Sequence, residues 1–338
     1  MMLSSTDISP VYRADRDWRQ VLKQAWRKPA ELLDYLQLDP LLLKGIEAGQ
    51  REFPLLAPPA FVRQIEKGNP ADPLFLQIFP LVAENQAVKG LLQDPVGDLD
   101  SQASPGLLHK YRSRALIITT GACAIHCRYC FRRHFPYSSA TGMRVDWPQT
   151  LDYIRQHPEI TEIILSGGDP LMLPTSQLQD ISTKLASLPQ IKTLRIHSRM
   201  PTTLPERINP ALLNWLSGLP FRLVLVHHIN HPNEISSQAK DAISTLTPYI
   251  QQQLNQAVLL RGVNNKVTTL VNLSEFLFAN KILPYYIHQM DPVESAGHFI
   301  CSDLEALELM DELRISLPGY LLPKLVRECA GEGSKTPV

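Results

Sequence analysis

Neither sign of charge prevails in this sequence: 33 lysines and arginines meet 33 aspartates and glutamates over 338 residues. A balanced chain offers no broad electrostatic footprint to nucleic acid or to an anionic membrane, although small anions can still be held locally. Long apolar runs are missing too; none approaches the roughly 20 residues that span a bilayer. Met1 to Pro10 lacks the basic-then-apolar order of an export signal. The expectation is a cytoplasmic protein that engages neither membrane nor nucleic acid directly. Cysteine is scarce and odd in number, five in all, a poor disulfide framework that suits a reducing compartment. No apolar stretch is followed by G-x-G-x-x-G, so the dinucleotide-binding fingerprint is absent.

What cysteine there is lies together. Cys123-Ala-Ile-His-Cys127-Arg-Tyr-Cys130 gathers three of the five into eight residues, directly behind an apolar, β-branched run over 115–120. Three thiolates on one loop point to a metal, and C-x3-C-x2-C offers three ligands where a closed structural zinc site needs four. No second Cys/His pair stands nearby at ligand spacing. A [4Fe-4S] cluster on three cysteines keeps one iron open. That iron can take the amino and carboxylate groups of a small molecule.

From the start of the chain, Trp18, Leu22, Trp26, Leu32, Leu33 and Leu36 fall at mostly helical spacing over 18–36, with a break expected at Pro29. Prolines then recur as far as Pro105, which leaves room only for short helices. Residues 1–106 therefore read as a helical N-terminal region. Beyond them, Ile-, Leu- and Val-rich strands are expected over 115–120, 162–167, 193–198, 222–228, 256–262 and 284–289. Amphipathic helices are expected over 177–188, 210–216, 234–247, 268–279 and 302–313. Repeated strand-helix units require a parallel sheet, because parallel neighbours need crossovers. Polar groups cluster just past the strand ends, as in a barrel. The expected class is α/β: a partial (β/α)6 barrel over 107–300, then a C-terminal helix and tail over 301–338.

Two further stretches carry chemistry. Ser166-Gly167-Gly168-Asp169 ends the second of these strands, where two glycines let backbone approach a ligand and Asp169 offers an acceptor to an ammonium; the same residues also make an ordinary turn. The chain closes on Cys329-Ala-Gly-Glu-Gly-Ser-Lys335-Thr-Pro-Val338, a lysine behind small residues. This is not expected to be a phosphate-binding P-loop, since Ser334 separates Gly333 from Lys335.

The cysteine loop resembles that of the radical S-adenosylmethionine (radical SAM) superfamily, in which a glycine-rich strand end like Ser166 to Asp169 lines the amino group of S-adenosylmethionine. Together with the terminal lysine, it resembles the lysine 2,3-aminomutase family over about residues 70–338. The resemblance implies a radical-SAM barrel with its [4Fe-4S] cluster on Cys123, Cys127 and Cys130, and His228 and Gln256 beside S-adenosylmethionine. It implies Lys335 as the catalytic lysine that bonds to pyridoxal 5′-phosphate, with Lys110, Tyr111 and Arg114 at the phosphate. Arg132 would hold the substrate's carboxylate, and Asp291 and Glu328 its side-chain ammonium. The implied reaction converts L-lysine to (R)-β-lysine by 1,2-amino migration.

Two departures stand out: Glu328 takes the place of a family aspartate, and Lys266 stands where larger members carry a zinc-ligand cysteine. Both match the short subfamily that makes β-lysine for elongation factor P. That match implies a functional link to the factor and its lysyl ligase, and a monomer or weak dimer. Other readings that share the cysteine loop are a radical SAM enzyme for another amino acid, one without pyridoxal phosphate, and a non-enzymatic iron-sulfur or zinc protein. Asp291 speaks against an acidic side chain on the substrate, because like charges repel.

Overall fold

The computed structural model describes residues 17–136 and 145–338, so the reading of Met1 to Pro10 lies outside the described residues. Ten strands form one sheet in sequence order: β1 (Gln102–Ser104), β2 (Leu107–Tyr111), β3 (Arg114–Thr120), β4 (Glu162–Gly167), β5 (Thr193–Ser198), β6 (Arg222–His227), β7 (Gln252–Leu259), β8 (Leu283–Gln289), β9 (Lys324–Arg327) and β10 (Thr336–Pro337). From β3 to β9 every neighbour is parallel, while β1 and β2 lead in, and β10 leads out, antiparallel. A doubly wound sheet reverses its strand order at a switch point; this one never does. Side chains from β2 through β8 face one cavity, so the sheet curls round on itself, with β1 and β10 as open edges. It is a partial barrel.

The helices Thr175–Ala186, Pro210–Ser217 and Ser237–Leu246 cover the outside of the sheet. Their apolar stripes, such as Leu178, Ile181 and Leu185, meet Ile163, Leu165, Leu194 and Ile196 of the strands. The helix Asp303–Ser316 starts on a reciprocal cap, in which Glu305 N donates to Ser302 Oγ at 3.2 Å and Ser302 N to Glu305 Oε2 at 2.7 Å. Among the described residues no helix is long and apolar enough to cross a membrane.

Several boundaries differ from those read off the sequence. The first amphipathic stretch is two helices, Trp18–Lys23 and Pro29–Leu36. Between them Trp26 pairs with Ala57 through backbone bonds of 2.9 and 3.1 Å. Strand β7 begins at Gln252 rather than 256 and ends at Leu259 rather than 262. Its buried polar side chains, Gln253 and Asn255, look like solvent-facing residues in sequence but are satisfied by His227 and by the backbone of Ile229. Asn264 Oδ1 then takes Leu260 N at 2.8 Å and turns the chain away. Strand β9 and the helix Trp147–Gln156 were not foreseen. β9 is only four residues long and follows Pro323, too short for a period to register.

Candidate active site

The cysteine loop leaves β3 and is clamped from the side by the N-terminal helices. Arg128, wholly buried between two loop cysteines, donates through Nε to Glu84 Oε1 at 2.7 Å and also bonds the carbonyls of Phe53 and Gly49. Arg133 donates to the same Glu84 carboxylate at 3.0 Å. His126 N reaches Leu56 O at 2.9 Å, and Arg128 N reaches Gln77 O at 2.8 Å. Ile125 joins the apolar cluster of Leu32, Phe61, Phe75 and Phe79. The N-terminal region is thus the wall that positions Cys123, Cys127 and Cys130.

On the opposite side the loop rests on the end of β4. Gly168 N donates to Thr120 O at 2.6 Å, and Asp169 N to Ala122 O at 2.8 Å. A β-carbon on Gly168 would lie 2.4 Å from Ala122 O, and Gly167 has φ of +113°, so neither position admits a side chain without moving the loop. Asp169 is not an open acceptor. Its oxygens already take Leu171 N, Ser198 Oγ and Arg199 N at 2.8 to 3.0 Å, and burial pushes its carboxyl up to about 6.

Every site residue expected from sequence lines one cavity of about 270 Å³. The thiols share one side of it with His228, whose Nε2 lies 2.8 Å from Tyr129 OH and whose ring stacks on Tyr129 at 5.6 Å. Burial and then Arg199 push His228 down to about 3, so it is a neutral imidazole. Among the described residues no group of three or more His, Cys, Asp and Glu side chains is already drawn together as a metal would hold them. Burial holds the Cys123 thiol well above its usual range and pushes Cys130 up to about 11, and a bound metal would displace their protons. The loop nonetheless suits a metal cluster, because Arg199 Nη1 stands 2.8 Å from Cys127 Sγ, a cation ready for thiolate charge.

The rest of the cavity is a line of alternating charges. Arg132 Nε donates to Asp98 Oδ2 at 2.6 Å; Lys110 Nζ lies 2.7 Å from Asp98 Oδ1 and 2.9 Å from Glu328 Oε1; Lys335 Nζ donates to Glu328 Oε2 at 2.6 Å. With Val96 O at 2.8 Å, the three donors of Lys110 are all engaged inside the protein rather than offered to a phosphate. Burial opposes charge on Glu328, yet Lys335 and Lys110 hold it down at about 2; burial and the nearby Glu328 push Asp291 up to about 7. Arg114 lies over the Tyr111 ring at 4.2 Å.

Sequence reasoning missed Asp98, Arg195 and His288 as members of this cavity; His197 and Arg199 stood out only as polar groups past a strand end, without the role of Arg199 as the cation at the thiols. Arg195 Nε, His197 Nε2 and His288 Nε2 are buried with no partner. Burial pushes both histidines well below their usual range. The open Arg195 N–H and the two unpartnered imidazole nitrogens, near Lys335, fit an anionic, polar cofactor such as pyridoxal phosphate. The histidines end on inward positions of β5 and β8 and were legible as candidates; Asp98, in a loop before β1, carried no such signal.

No family model matches the chain. It is 45% identical over 324 residues to the L-lysine 2,3-aminomutase of Escherichia coli (strain K12), covering 95% of this chain and 94% of that protein. It is 43% identical over 327 residues to the L-lysine 2,3-aminomutase of Haemophilus influenzae, covering 97% of each. Against the L-lysine 2,3-aminomutase of Clostridium subterminale it is 34% identical over 325 residues, covering 95% of this chain and 77% of that protein. A radical SAM methyltransferase from Sphaerobacter thermophilus superposes with a TM-score of 0.45 at 15% identity, over 65% of this chain and 68% of that one.

Proposed function

The chain belongs to the L-lysine 2,3-aminomutase family, and from that membership we propose that it isomerises L-lysine to (R)-β-lysine with a [4Fe-4S] cluster, S-adenosylmethionine and pyridoxal phosphate. One observation carries the reading: three loop thiols, a lysine amine, and side chains complementary to both charged ends of an amino acid face a single cavity. When bound, the cluster and S-adenosylmethionine supply a carbon radical that abstracts hydrogen, and pyridoxal phosphate supplies the ring that carries the migrating amino group.

The chain's own residues bind, orient and exclude water. Cys123, Cys127 and Cys130 would hold the cluster, with Arg199 moderating the charge at Cys127. The Ser166 to Gly168 backbone, His228 and Gln256 line the same cavity and would lie against S-adenosylmethionine. Lys335 offers the primary amine that an aldehyde requires, and Tyr111 and Arg114 would take the phosphate. Arg132 suits a carboxylate by its planar fork of donors, while Asp291 and Glu328 suit an ammonium. The N-terminal helices cover one side of the cysteine loop and would help to exclude water there. Supply of β-lysine to elongation factor P and its lysyl ligase is carried over from the resemblance to the short subfamily, as are a cytoplasmic location and a monomer or weak dimer.

The test is an anaerobic assay. Protein reconstituted with iron, sulfide and pyridoxal phosphate, then given S-adenosylmethionine, a reductant and L-lysine, is expected to yield β-lysine on chromatography. An intact cluster with no β-lysine formed would overturn the reading.

A further inference from the structure

Asp98 has no part in the function just proposed, yet it joins both ends of the cavity. Its side chain is 2% exposed. One oxygen meets Lys110 Nζ at 2.7 Å and the other Arg132 Nε at 2.6 Å. Lys110 in turn sits 2.9 Å from Glu328 Oε1, so a continuous chain of contacts runs from the arginine suited to a carboxylate to the carboxylate suited to an ammonium. Each link is direct and largely shielded from water, with Lys110 11% and Glu328 19% exposed. Buried charges hold such a geometry only while each keeps its partner.

We propose that Asp98 is a positioning residue that, through Arg132 on one side and Lys110 with Glu328 on the other, sets the separation of the two ligand-holding ends and thereby selects amino-acid length. This rests on the reading that lysine is the substrate. A diamino acid one methylene shorter satisfies one end and leaves the other charge unmet, a mismatch that a rigid polar site punishes more heavily than an apolar pocket does. If Asp98 is neutral, Arg132 and Lys110 lose their common anchor. The two ends then move independently, and a shorter ligand can be met by relaxation.

The experiment compares L-lysine with L-ornithine, by calorimetric binding to protein carrying cluster and pyridoxal phosphate but no S-adenosylmethionine, and by kcat and KM in the full assay. Wild-type protein is expected to favour lysine by about 100-fold or more, the range of polar length discrimination. In Asp98→Asn the preference is expected to fall at least about 10-fold, mainly through a raised KM for lysine, with kcat changed less than about threefold. A merely structural role would lower the melting temperature and the active fraction but leave the ratio between the two ligands untouched. Lys110→Met cuts the same chain from the more exposed side and is expected to relax the ratio likewise; it decides the matter if Asp98→Asn does not fold. Retention of the wild-type ratio in either folded variant overturns the proposal while leaving lysine as substrate. Wild-type protein that neither binds nor converts lysine overturns the functional reading, and length selection with it.

Discussion

Two carboxylates a short distance apart behave oppositely because their neighbours differ. Glu328 is bonded by two ammonium groups and stays charged down to about 2, whereas Asp291 has burial against it and the Glu328 charge beside it, and rises to about 7 from 3.8. A carboxyl whose folded value lies above its unfolded one binds its proton more tightly when folded. Its contribution to stability is full below about pH 4 and is lost as the pH rises through about 7. Asp291→Asn removes this term, so the melting temperature of the cofactor-free variant is expected to gain on wild type steadily between pH 4 and 7.5. Parallel melting curves across that range would refute the assignment. The same titration means that an ammonium ligand binds wild type more tightly as Asp291 ionises, a limb that the variant lacks.

At the scale of elements, the decisive contacts are those that press the cysteine loop between β4 and the N-terminal helices. The β4 side is pure backbone, with Ala122 O 2.4 Å from where a Gly168 side chain would begin. Gly168→Ala is therefore expected to displace the loop and reduce bound iron to well under half of wild type after reconstitution, with far-ultraviolet dichroism unchanged; full iron content would show the contact to be dispensable. The helical side depends on Glu84, whose carboxylate serves both Arg128 and Arg133 in the interior. Removing one partner from such a set leaves buried charge unmatched, a loss of about 3–5 kcal/mol. Glu84→Gln should lower the denaturant midpoint accordingly, and a midpoint within experimental error of wild type would count against the clamp.

For the whole molecule, Lys266 stands at the expected zinc-ligand position, and it precedes the helix Val267–Ala279 as its cap residue. Purified protein is expected to hold iron without stoichiometric zinc and to sediment as a monomer or weak dimer; one tightly held zinc per chain, or a zinc-dependent tetramer, would contradict this. Changing Cys301, buried against Met310 and Leu313, or Cys329 to Ala should leave iron binding intact, in contrast to the three loop cysteines. The sequence by itself determined the alternation of strand and helix, because apolar period and length are local properties that survive in one dimension. It also marked the cysteine loop by residue type and spacing, whereas the glycine pair and Lys335 stood out only through the family resemblance. Only the tertiary structure decided where β7 starts, since Gln253 and Asn255 are buried through partners that lie on β6 and in the loop after it. It alone extended the sheet through β9, which brings Glu328 beside Lys110, 218 positions away. Asp98 became legible only then, because a charge in a loop has no period to announce it, and its meaning lies in the charges that the fold sets against it.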